Sequence, residues 1–255
     1  MKSIQIKRRL QKKKNILSII NHISEMDELV VNISGNKDHQ YSKKIIRAFE
    51  ESIACRTKLN KKVLEMQGLS GRKFRILLNN LIDFINNPKY LEIGSWLGST
   101  ACSVLFKNKV DATCIDNWSQ NFTNKLIPKE KFEKNVSKFL NKANKLTLLE
   151  TDFRDVNYDD LKNFNIYFYD GAHHYKDHYD SIRIVLPSLS DEFIMIIDDW
   201  NWKQVREGTM ASVANEKLDV IFSLDIRTTR DNSSALITGK SSDWHQGVCL
   251  FVIKK

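Results

Sequence analysis

Three observations predict an α/β fold with a mostly parallel sheet and helices on both faces. From residue 90 onward, short apolar runs alternate with longer amphipathic or Lys-rich segments, the pattern of βαβ units. The first run, Tyr90 to Ile93, enters a turn with glycines at 94 and 98, and a helix is expected from Ser99 or Thr100. Each of the first five runs also ends on or beside an acidic residue, at the end of the strand where open α/β sheets bind ligands.

The elements follow in order. Residues 1 to about 60 are polar, basic and weakly periodic, broken once at Ser34-Gly35-Asn36, and are expected to form a basic helical N-terminal extension ahead of a domain over 61–255. After Gly68-Leu-Ser-Gly71, the residues Phe74, Leu77, Leu78, Leu81, Ile82 and Ile85 recur at three- and four-residue steps, one apolar stripe of an amphipathic helix that Asn86-Asn-Pro88 ends. Strands are expected at 90–93, 112–115, 146–150, 164–169, 193–197, 220–225 and 247–253, making a seven-stranded sheet. Helices at about 129–140, 175–186 and 205–215 connect them. The glycines at both ends of 66–71 would let that loop close over a ligand.

Composition narrows the function classes. A chain of 255 residues can bury a sizeable core, and none of its apolar runs is long enough to cross a membrane, so cytoplasmic residence is the default expectation. The four cysteines, Cys55, Cys102, Cys114 and Cys249, lack metal or redox spacing, and Cys102 and Cys114 read as small buried apolar residues. Much of the net charge of +9 comes from Lys7, Arg8, Arg9, Lys12, Lys13 and Lys14 and from scattered lysines, which reads as a solvated basic end in preference to a nucleic-acid surface. No membrane partner is expected, and self-association stays open.

The glycine turn sets the chemistry. Gly94 lets the chain bend where a Cβ would clash, and Gly98 is expected to let a ligand approach the first helical turn, whose unpaired N–H groups attract negative charge. The order Glu92-Ile-Gly94-Ser95-Trp96-Leu-Gly98 is not the Gly-x-Gly-x-x-Gly of dinucleotide sites. It resembles motif I of the Rossmann-like class I S-adenosylmethionine-dependent methyltransferases, in which the acidic residue sits near the cationic methionine part of the cofactor. That resemblance implies S-adenosyl-L-methionine as cofactor, with Glu92, Gly94, Ser95, Trp96 and Gly98 around it. Asp116 lies 22 residues beyond Gly94, where a carboxylate accepts bonds from ribose hydroxyls, although an Asp there could instead cap the next turn. Asn117 and Trp118 follow it, and Trp118 either stacks on the adenine or covers the core. Asp152 and Phe153 fall where the resemblance places adenine contacts, with a turn cap as the alternative for Asp152.

The remaining strand ends carry Asp170 and the pair Asp198-Asp199. Neighbouring strands would bring these three together, and crowded like charges are costly unless a cation neutralises them. Oxygen ligands on adjacent turns suit Mg²⁺ or a similar divalent ion, the alternative being an ion pair with Lys203 or Arg206. The segment Asp170-Gly-Ala-His173-His-Tyr175 is similar to the Asp-Gly-x-His-x-Tyr segment of the macrocin O-methyltransferase and cephalosporin hydroxylase-like family. The pattern also resembles catechol O-methyltransferases, whose metal is held by an Asp and an Asp-Asn pair, and this chain has Asp in place of Asn. By that resemblance Asp170 and His173 are catalytic, His173 being the base. His174 and His178, four apart, could bind a metal, cap a helix or face water. Trp96, Trp118, Trp200, Trp202 and Trp244 are expected to wall a substrate site. The resulting expectation is a metal-assisted O-methyltransferase acting on a small-molecule, sugar or glycan hydroxyl. The alternatives are methylation of nucleic-acid or protein nitrogen, or a cofactor-binding module without turnover.

Overall fold

The computed structural model describes residues 29–120 and 127–255. Its strands are β1 (Val30–Gly35), β2 (Lys89–Ile93), β3 (Asp111–Ile115), β4 (Lys145–Leu149), β5 (Phe164–Tyr169), β6 (Leu189–Asp198), β7 (Asp219–Arg227) and β8 (Val248–Lys254). They form one sheet in the order β1-β7-β8-β6-β5-β2-β3-β4. The pairs β2/β3, β3/β4, β2/β5 and β5/β6 are parallel, whereas β8 is antiparallel to both β6 and β7. Helices α1 (Gln40–Ile53), α2 (Lys61–Leu64), α3 (Arg72–Phe84), α4 (Ser99–Leu105), α5 (Pro128–Val136), α6 (Tyr175–Val185) and α7 (Lys203–Asn215) flank it.

Period-two alternation divides the core. In β5, Ile166 and Phe168 face one side with α1, α3, α4 and α5, while Tyr167 and Tyr169 face the other with α6 and α7. The stripe expected in the first long helix is buried as expected: Phe74, Leu77, Leu78, Leu81 and Ile82 are at most 1% exposed. Burying each such side chain contributes about 1.5–3 kcal/mol before entropy is counted. Cys102, Cys114 and Cys249 are buried free thiols, and Cys55 is exposed.

The reading of residues 1–60 as wholly helical is corrected at β1, an eighth strand antiparallel to β7 on the sheet edge. Its run Val-Val-Asn-Ile-Ser-Gly has β-branched residues but exposes four of its six positions, so it carries little apolar signal. The basic cluster of residues 7–14 lies outside the described residues.

The loop over 66–71 is fastened rather than hinged. Arg75, wholly buried on α3, donates from Nη1 to the carbonyls of Val63 (2.9 Å), Leu64 (3.2 Å) and Met66 (2.8 Å), and from Nε to Ser70 Oγ (2.9 Å). Ser70 Oγ in turn bonds Ser99 Oγ at 2.8 Å, at the start of α4. Gly68 and Gly71 are needed for contact: a Cβ would run into the Ser99 side chain at the first and the Asp243 backbone at the second. Burial lowers the Arg75 guanidinium to about 10, and carbonyl dipoles compensate it, with no carboxylate paired to it among the described residues.

Candidate functional site

Strand order reverses between β2 and β5: β3 and β4 continue to one side of β2, while β6 continues beyond β5. A ligand crevice therefore belongs at the carboxyl ends of β2 and β5. Gly94, with φ +87°, follows β2 there, and a Cβ on it would overlap the Asp170 carbonyl that follows β5. Its N–H donates to Ile115 O at 3.0 Å, and the Asp170 N–H donates to Ile93 O at 2.9 Å, so the two turns abut. Gly98 has φ +79°, but its missing Cβ makes room for the Phe132 ring, 2.9 Å from the position a Cβ would take. This corrects the expectation that Gly98 opens the backbone to a ligand.

Glu92 lies fully enclosed under this turn. Tyr90 Oη donates to its Oε2 at 2.6 Å and Thr100 Oγ1 to its Oε1 at 3.0 Å. Burial pushes its carboxyl up to about 7, against the hydroxyl bonds that favour the charged form. Ser95 is buried beside it. Asp116 takes the Trp96 N–H on Oδ2 and the Trp118 N–H on Oδ1, each at 2.7 Å. It thus ties the β2 and β3 turns together, and each oxygen keeps a second lone pair for a hydroxyl. Trp118 packs edge-on against Phe132 at 5.7 Å and donates from Nε1 to Trp96 O at 3.0 Å. Asn117 Nδ2 donates to Asp152 Oδ2 at 3.2 Å. Asp152 also caps the turn that follows, accepting from Arg154 N at 2.9 Å, and Phe153 is buried edge-on to Tyr169 at 5.8 Å.

The β5 and β6 ends gather the second group. Side-chain atoms of Asp170, His173 and Asp199 lie within 4.8 Å of one another. His173 Nδ1 is 3.2 Å from Asp199 Oδ2, and the ring stands edge-on to Trp202 at 5.1 Å. Asp198 is 2% exposed, and among the described residues its carboxyl oxygens have no well-aligned donor, the groups facing them being the Asp199 N–H and the Asp170 carboxyl. Burial and the neighbouring acids hold the Asp170 and Asp198 carboxyls well above the usual range. Lys203 and Arg206 do not neutralise the group. Lys203 pairs with Glu207, while Arg206 donates to the carbonyls of Trp200 (2.7 Å) and Asn201 (2.5 Å) and to Asn232. Trp96, Trp118, Asp199 and His245 all have left-handed backbone (φ +40° to +56°), a strain that persists where surroundings impose it.

Two expectations, those for Trp200 and Trp244, dissolve in packing. Trp200 is buried edge-on to Phe251 at 5.4 Å, and Trp244 lies in the core against Phe49 at 5.7 Å, so of these aromatics Trp202 stands beside His173. His174 starts α6, its N–H donating to Asp177 Oδ2 at 3.2 Å. His178 is buried edge-on to Tyr169 at 4.9 Å, its imidazole lowered to about 3 by desolvation, so the two histidines form no ligand pair.

Sequence reasoning missed His245. Its Nδ1 accepts the Gly239 N–H at 2.9 Å, which places the proton of the neutral ring on Nε2, and Nε2 lies 3.9 Å from Asp199 Oδ1. Burial holds this imidazole below its usual range. It sits after the core tryptophan Trp244 in the loop before β8, and neither spacing nor periodicity marks it.

Residues 91–200 match the family model described as a methyltransferase domain. None of the curated proteins matches the sequence. Among solved structures, the chain is similar to the SAH-bound methyltransferase PaMTH1 of Podospora anserina (12% identity, 87% of this chain and 90% of that one, TM-score 0.49). It is also similar to precorrin-6y C5,15-methyltransferase of Geobacter metallireducens (15%, 72% and 87%, 0.49). A third is the ribosomal protein L11 methylase of Lactobacillus delbrueckii subsp. bulgaricus (14%, 72% and 78%, 0.44). The glycine turn at the switch point of the sheet and the acidic ends of β5 and β6 all lie within residues 91–200, the stretch that matches the methyltransferase domain.

Proposed function

We propose that this chain is a class I S-adenosylmethionine-dependent methyltransferase that methylates a hydroxyl oxygen of a small molecule, sugar or glycan, assisted by a divalent ion held by Asp170, Asp198 and Asp199, with His173 as base. The observation that carries this reading is Asp198: a buried carboxylate without a well-aligned donor, beside two more carboxylates, with no Lys or Arg paired to them among the described residues. Such a group binds protons or a cation. The donor set fits a hard ion such as Mg²⁺ through its oxygens, and admits Mn²⁺-like ions if His173 joins it. When bound, the ion would lower the pKa of an acceptor hydroxyl and orient a vicinal diol. The Asp-Gly-x-His-x-Tyr segment, Asp170 to Tyr175, supports the same reading through its resemblance to the macrocin O-methyltransferase-like family.

The chain's own residues do the rest. Asp199 Oδ2, 3.2 Å from His173 Nδ1, favours the ring proton on that nitrogen and leaves Nε2 as the acceptor for the hydroxyl proton. Trp202 fixes the ring from the side. S-adenosylmethionine supplies an activated methyl, and the residues proposed to hold it are Gly94, Ser95 and Trp96 in the turn with Glu92 beneath it, and Asp116, Asn117, Trp118, Asp152 and Phe153 along the β3–β4 rim. Orientation of two reactants in line can remove about 7–11 kcal/mol of barrier. The test is turnover of S-adenosylmethionine by purified protein against sugars, catechols and RNA, with Mg²⁺ and with chelator. Chelator-sensitive turnover on a diol is expected. Equal turnover with chelator would remove the ion from the reading, and a nitrogen product would remove the hydroxyl.

A further inference from the structure

On the helical face behind the cofactor turn lies an open groove of about 620 Å³, lined by residues of 61–67 and 131–139. Four lysines line it, Lys61 and Lys62 from α2 and Lys131 and Lys138 from α5 and the turn after it, against one acid, Glu65. Lys61 is 3.7 Å from Glu65, but Lys62, Lys131 and Lys138 have no carboxylate partner among the described residues. Met66 and the half-buried Phe139 add apolar surface to this charge. Phe139 packs edge-on against Phe106 at 5.7 Å, and Lys107 lies over the Phe106 ring at 5.4 Å, which carries the basic surface on beyond the groove.

We propose that this groove binds a single-stranded nucleic acid, its phosphates on Lys62, Lys131 and Lys138 and a base against Phe139. Unpaired lysines on two walls give the sequence-independent attraction that phosphodiesters need. An aromatic face between them is the second part of a single-strand platform. The groove touches the catalytic frame from behind: Asn135, on its wall, donates from Nδ2 to Leu97 O at 2.9 Å inside the cofactor turn. The inference is independent of the proposed hydroxyl chemistry and metal.

The test is fluorescence anisotropy with a labelled 12-nucleotide single-stranded RNA and the full chain, titrated between 50 and 200 mM salt. The Lys62→Ala/Lys131→Ala/Lys138→Ala variant is compared with the parent, with its melting temperature as the folding control. Three lost phosphate contacts are expected to reduce the log–log salt slope by about 2 and to weaken binding at least tenfold at low salt. Phe139→Leu is expected to weaken binding several-fold with the slope unchanged. S-adenosylmethionine binding stays intact in the triple variant, which separates this outcome from a failed cofactor site. The same isotherm and slope in the triple variant would overturn the proposal and place any RNA binding elsewhere, the basic residues 7–14 included. Equal binding by Phe139→Leu would overturn the stacking half. Groove-dependent binding of phosphatidylserine vesicles in preference to RNA would assign the groove to a lipid surface instead.

Discussion

The β2–β3 end and the β5–β6 end of the sheet both carry buried or half-buried carboxylates, yet they solve the cost of that charge differently. At the first end the donors are built in: Glu92 has the Tyr90 and Thr100 hydroxyls, and Asp116 has the Trp96 and Trp118 amides. At the second end Asp198 has no well-aligned donor among the described residues, and Asp199 leans on two histidines. A satisfied carboxylate shapes a turn. An unsatisfied one marks a place for a proton or a cation that the chain itself does not provide.

Substitutions can break this contrast. The largest effect is expected from Asp170→Ala, which removes a proposed ligand and a turn residue of the second end: turnover falls on the order of a hundredfold or more, while S-adenosylmethionine affinity changes little. Steady-state kinetics beside calorimetric cofactor binding checks it. Next comes His173→Asn, expected to lower kcat about a hundredfold or more with KM for the cofactor unchanged.

Gly94→Ala bears on the junction between the two ends. It forces a Cβ into the Asp170 carbonyl at a positive φ, so a loss of roughly 2 kcal/mol or more is expected, seen as a melting point lowered by about 4–8 °C.

A pH-dependent effect sharpens the first end. Glu92 holds its proton up to about pH 7 when folded, against an ordinary value of 4.5. Between those values the folded chain keeps a proton that the unfolded chain releases, so this group's stabilisation is complete below pH 4.5 and declines as pH rises to 7. The span corresponds to at most about 3 kcal/mol. In thermal melts from pH 5 to 8, Glu92→Gln is therefore expected to gain on the parent as pH rises. A constant difference would show that Glu92 does not titrate in that window.

What was legible in the sequence divides along the same line. The seven strands from residue 90 onward are strongly apolar runs between turn residues, and all seven appear within a few residues of their expected bounds. β1 escaped because an exposed edge strand lacks that contrast. The convergence of Asp170 with Asp199 follows from the parallel pairing of β5 and β6 once the acidic strand ends are noticed. The positions of Trp200 and Trp244 could not be read, since a tryptophan beside a polar turn has the same local sequence whether it packs inward or lines a wall. Gly98 was read as open for a ligand, but the Phe132 that fills its space comes from α5, far along the chain. Arg75 went unread, although it lies three residues before Leu78 and seven before Ile82, on the apolar stripe itself, where an arginine implies buried acceptors.

The most direct measurement is calorimetric titration of Mn²⁺ into the purified full chain and into Asp198→Ala. One ion per parent chain, lost or weakened at least tenfold in the variant, is the expected result. No uptake by the parent, or equal uptake by both, would contradict the claim that the unsatisfied carboxylates exist to hold a cation.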